Sequence, residues 1–156
     1  MLREIKFRGK RLDTGEWVYG NLIISENGAP YILPPEICEV DGHHLRQGDD
    51  VPHWVDPATV GQFTGEFDDL GVEIYEDDLV EYPECVDFEE YEWGAPLRPR
   101  PIIMRTRHQV KFIDGCFWLM PATDGGDDPI PLHDLEGSKV PKVFGNIHDN
   151  PELLKK

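Results

Sequence analysis

Residues 110–119 read Val-Lys-Phe-Ile-Asp-Gly-Cys-Phe-Trp-Leu, two apolar-rich runs joined by Asp114 and Gly115. Asp-Gly between such runs is the signature of a two-residue β-hairpin turn, whose central residues need positive φ. Glycine adopts that conformation freely, and Asp tolerates it better than most residues. The turn sets the register: Ile113 faces Cys116, Phe112 faces Phe117, Lys111 faces Trp118 and Val110 faces Leu119. Because side chains alternate along a strand, Val110, Phe112, Phe117 and Leu119 are expected to share a core face, with Lys111, Ile113, Cys116 and Trp118 on the other. Trp118 beside Lys111 is a candidate contact residue. A partly covered indole on a small β-barrel accounts for the same pattern.

The flanking sequence continues the β reading. The 15 glycines and 14 prolines are distributed rather than repeated, which calls for many short elements joined by turns. In the first twenty residues, Ile5 and Phe7 alternate with Lys6 and Arg8. Asp13, Thr14 and Gly15 then supply a turn, and Trp17, Val18 and Tyr19 return as a second strand. Residues 20–57 are expected to be irregular, since Leu22–Ile24 and Tyr31–Leu33 are strand-like but prolines stand at 30, 34, 35 and 52. A strand is expected after Pro57. A second is expected over residues 73–82, with Ile74, Leu79, Val80 and Tyr82 in the core and a turn at Asp68–Gly71 before it. Residues 83–100 read as a long exposed loop, Lys142–Ile147 as a last strand, and Asn150 followed by Pro151 as the start of a short terminal helical turn.

Charge is distributed unevenly. From Gln47 to Leu97 there are 16 acids and no Lys or Arg, and the other 15 acids equal the 15 basic residues, so this middle third accounts for the net charge of −16. A one-signed field repels phosphates and acidic membranes and attracts basic protein surfaces, so direct nucleic-acid binding is not expected. Within the segment, Glu84, Asp87, Glu89, Glu90 and Glu92 make an acidic run in the expected exposed loop and, with Trp118, are the candidate interaction surface. Conversely, Arg3, Lys6, Arg8, Lys10 and Arg11 make the N-terminus basic, and an internal partner for them is expected, within the chain or between subunits.

Cys38, Cys85 and Cys116 are odd in number and widely spaced, which indicates neither a disulfide framework nor a zinc ribbon. His43 and His44 follow Cys38 at no ordered spacing, and adjacent residues on an extended chain point to opposite faces. No metal site and no cofactor are expected. The charged opening lacks the apolar run of a signal peptide, and no stretch approaches the roughly 20 apolar residues of a membrane helix, so a cytoplasmic location and no membrane contact are expected.

Four ordered segments resemble the YopX family of phage and prophage proteins: REIKFRG with WVYGNL; VGQFTGEFDDLGVEIYEDDLVEY; VKFIDGCFWL; and VFGNIHDNPELL, together spanning Arg3 to Leu154. The resemblance implies an SH3-like small barrel in the C-terminal part and no established activity. On that basis the expected architecture is mainly β, with an N-terminal hairpin and irregular segment over 1–54 packed in one compact unit with a barrel part over 55–156. The family tends to read Tyr-Glu-Gly-Asp where this chain has Tyr75, Glu76, Asp77 and Asp78. If that glycine serves positive φ, Asp77 adopts the left-handed region.

The function expected is a non-enzymatic interaction module. Its alternatives are an acidic DNA mimic that inhibits a nucleic-acid-binding protein, and a subunit of a homo-oligomer in which the basic N-terminal hairpin of one copy meets the acidic segment of another. A hydrolase using Asp77 or Asp78 with His148 and a divalent ion is the enzymatic alternative. The chain lacks H-E-x-x-H, G-x-S-x-G, Walker and EF-hand motifs, so no enzyme is expected.

Overall fold

The computed structural model describes residues 4–35, 52–86, 91–92, 95–96, 102–122, 128–135 and 140–154. By Cα proximity the chain groups into two units, residues 1–66 with 73–76 and residues 67–72 with 77–156. The strands are β1 (Phe7–Lys10), β2 (Trp17–Ile24), β3 (Pro30–Leu33), β4 (His53–Trp54), β5 (Gly61–Phe67), β6 (Glu73–Tyr75), β7 (Asp78–Val86), β8 (Tyr91–Glu92), β9 (Ala95–Pro96), β10 (Ile102–Ile113), β11 (Cys116–Pro121), β12 (Ile130–Pro131) and β13 (Lys142–Asn146). The fold is mainly β, with two antiparallel sheets. One has the order β4-β3-β2-β1-β5-β6 and the other β12-β11-β10-β7-β13, while β8 and β9 pair as a separate ribbon. Both sheets are open; no closed barrel forms among the described residues.

In the first unit the expected hairpin forms, with Arg8 opposite Tyr19 and Lys10 opposite Trp17. Its turn is closed by the Gly15 amide donating to the Arg11 carbonyl at 2.9 Å. The chain then stays regular further than the prolines suggested. β2 continues to Ile24 and pairs with β3, with Leu22 opposite Ile32. Pro30 is tolerated because it opens its strand, opposite Ile24 at the end of the ladder. The Asp56 carboxylate caps a 3-10 turn over Pro57–Thr59 by accepting from the Ala58 amide at 3.0 Å. β5, which the sequence reading placed with the C-terminal part, instead pairs with β1, Phe7 opposite Gln62. Ile32, Val55, Phe63, Ile74 and Tyr75 are buried in this unit.

In the second unit the 110–119 hairpin has the expected register, and its turn has positive φ at both Asp114 and Gly115. Val110, Phe117 and Leu119 are buried as expected, but Phe112 is 46% exposed. β7 covers β10 as far as Gln109 and β12 reaches Trp118 and Leu119, so among the described residues no third strand covers the tip and Phe112. Leu79, Val80 and Tyr82 are buried in β7. Of the stretch expected as a loop from Pro83, residues 83–86 instead continue the strand opposite 102–105, and 91–92 pair with 95–96. Pro83 fits there because β13 pairs with β7 over 78–81, so among the described residues one edge of the strand carries no ladder at Pro83. The single strand expected over 73–82 divides at Asp77, whose φ is 68°. The terminal turn over Pro151–Leu154 is a 3-10 helix.

Candidate functional site

The basic residues of the N-terminal hairpin are held within their own unit. Alternation along β1 places Arg8 and Lys10 on one face, and the register sets them against Tyr19 and Trp17. The Arg8 guanidinium lies 4.7 Å from the Trp17 ring centre and 4.9 Å from that of Tyr75, and its Nη2 donates to the Glu76 carbonyl at 3.1 Å. Arg8 is 6% exposed, so its charge is stabilised by aromatic faces and a backbone oxygen in place of water. Lys10 lies over Trp17 at 5.4 Å. Lys6 Nζ donates to both Glu73 oxygens at 2.8 Å, and the Tyr75 hydroxyl donates to Glu73 Oε2 at 2.6 Å. Burial would raise the Glu73 carboxyl, but hydrogen bonds from Lys6 and Tyr75 outweigh it and hold the group below its ordinary range. Burial and the same hydrogen bond push the Tyr75 phenol far up. Arg11 donates twice to Asp13, at 2.9 and 2.7 Å, which lowers the Asp13 carboxyl and raises the guanidinium. A shallow groove of about 460 Å³ lies above the Lys6–Glu73 pair, lined also by Trp17, Tyr19, Pro34 and Pro35.

In the second unit, Asp77 stands at a corner shared by three strands. Its amide donates to the Val110 carbonyl at 2.9 Å and its carbonyl accepts from the Ile147 amide at 3.1 Å. Its Oδ1 accepts from Gln109 Nε2 at 2.8 Å, and its Oδ2 lies 3.4 Å from His148 Nε2. Two of the three residues named for the hydrolase alternative, Asp77 and His148, thus meet, whereas Asp78 is 2% exposed and buried. No group of three His, Cys, Asp or Glu side chains among the described residues is placed to hold a metal. Gln109, absent from the sequence reading, could have been found only from the β7–β10 register, in which it faces Leu79.

Of the candidate interaction surface, Trp118 is described fully. It is half-buried opposite Lys111, and its indole N–H donates to the Ile113 carbonyl at 3.2 Å. Glu84 lies on β7 opposite Met104, and Glu92 on β8 opposite Ala95. Asp87, Glu89 and Glu90 lie outside the described residues, as do Arg3, Cys38, His43 and His44.

A family model described as "YopX protein" matches residues 6–155. Among solved structures, the chain is similar to the crystal structure of protein EF1440 from Enterococcus faecalis, with a TM-score of 0.54 and 21% identity, over 97% of this chain and 99% of that one. No curated protein matches.

Proposed function

We propose that this chain, which belongs to the YopX family, is a non-enzymatic protein-interaction module whose acidic middle segment engages a basic protein surface. One observation carries the reading. Among the described residues, Lys6, Arg8 and Arg11 are engaged within the chain by Glu73, the Glu76 carbonyl and Asp13, while 16 acids, Glu73 among them, lie between Gln47 and Leu97 without a Lys or Arg. The same engagement argues against a homo-oligomer built by offering those cations to a second copy. A one-signed segment of this size steers basic surfaces toward it and repels phosphate backbones. The phage or prophage setting and the cytoplasmic location come with the family resemblance and form part of the proposal.

The finer description of the second unit as an SH3-like barrel left open is supported by its strand order. β13 returns beside β7, the first strand of the unit, after a 3-10 turn over Leu132–Asp134, while β7, β10, β11 and β12 follow one another as a meander. The Asp77–His148 pair is read as structural, because the Asp77 backbone and carboxylate tie strand ends together.

Affinity capture with the full chain, at about 0.1 and about 0.5 M salt, tests the interaction reading. Basic proteins retained at low salt and released at high salt are the expected result. Retention that is indifferent to salt, or recovery of the chain's own copies alone, would overturn it.

A further inference from the structure

The strongest feature outside the sites described so far is the turn that ends β5. Within residues 67–72, Phe67 is 48% exposed, Leu70 73% and Val72 47%. Isolated apolar side chains on a surface are ordinary, but here three large exposed ones lie within six residues of chain. The turn is also held rigidly. Asp68, only 6% exposed, accepts at Oδ1 from the Leu70 and Val72 amides, both at 2.8 Å, and at Oδ2 from the Val143 amide at 3.4 Å. Its own amide donates to the Val72 carbonyl at 2.8 Å, and the Gly71 amide donates to its carbonyl at 3.1 Å.

Resting on the interaction reading above, we propose that this turn is the docking point for the basic partner: an apolar knob of Phe67, Leu70 and Val72 that enters an apolar recess bordered by Lys or Arg. Charge complementarity selects that occupant. The turn contains Asp69 and follows Glu66, both exposed, and lies inside the stretch from Gln47 to Leu97 that has no Lys or Arg, while Glu73 beyond it is paired with Lys6. An anionic lipid surface would accept the apolar side chains and reject the acids, as would a nucleic acid. Rigidity adds to affinity because little ordering remains to be done when the partner binds. The acids bring basic surfaces near, and the knob discriminates among them.

Fluorescence anisotropy of the full chain with two labelled synthetic peptides of equal length and charge tests this. One peptide alternates Lys with Ser and the other alternates Lys with Leu. At about 0.5 M salt, where screening weakens the shared charge contribution, the Lys-Leu peptide should bind at least about tenfold tighter. Leu70→Ser with Val72→Thr, at two exposed positions, should reduce that preference to about twofold or less and leave binding of the Lys-Ser peptide unchanged. Equal affinity for the two peptides, or a preference the variant retains, overturns the knob. So does Leu70-dependent self-association, or Leu70-dependent uptake by phosphatidylglycerol vesicles. If neither peptide binds even at low salt, the interaction reading itself fails; if both bind at low salt without discrimination, only the knob fails.

Discussion

The amide of Asp77 donates to the carbonyl of Val110 at 2.9 Å from a left-handed backbone conformation, φ 68°. A non-glycine residue pays for that conformation, and the carboxylate offsets the cost by accepting from Gln109. Asp77→Ala should therefore destabilise the protein by about 1.5–3 kcal/mol, since it retains the strain and loses the hydrogen bond. Asp77→Gly loses the bond but relieves the strain and should fall within about 1 kcal/mol of wild type. Urea denaturation of the two variants measures the difference.

Glu73 yields a pH prediction. Its folded carboxyl is held below its ordinary range, so the Lys6–Glu73–Tyr75 cluster stabilises the fold fully above the unfolded value of about 4.3. That contribution is lost as pH falls through the lower folded value. Glu73→Gln should cost about 1–2 kcal/mol near pH 7, and the gap from wild type should close as pH falls below about 4. Melting curves across that range decide it, and a gap that stays constant in acid would contradict the assignment.

Phe117 and Phe112 face each other, with ring centres 4.9 Å apart, yet Phe117 is 7% exposed and Phe112 46%. Phe117→Ala should cost about 3–5 kcal/mol and Phe112→Ala less than about 1.5, as read by denaturant unfolding.

That pair also marks where the sequence stops informing. The Asp114-Gly115 turn dictates its own register, so the opposition of Phe112 and Phe117 was legible from ten residues. Whether a third strand would cover the ribbon depends on where β7 stops, and nothing local to the hairpin encodes that. The left-handed Asp77 was legible only through the family's glycine at that place. The Lys6–Glu73 pair joins residues 67 apart in sequence, so an internal partner for the basic N-terminus could be expected but not named. The exposed turn at Phe67–Val72 was read as a turn, but the exposure of its apolar side chains follows from the fold around Asp68.

In the proposed reading, the position of the acids, rather than their number, makes the interaction surface. The most direct measurement compares two variants of equal net charge for binding of a labelled Lys/Arg peptide at about 0.1 M salt. One neutralises Glu84, Asp87, Glu89, Glu90 and Glu92; the other neutralises Glu4, Asp13, Glu16, Glu26 and Glu152. Loss of at least about tenfold in affinity for the first and less than about twofold for the second is the predicted result. Equal losses in both variants would show that net charge alone attracts the peptide and that no position-specific acidic surface exists.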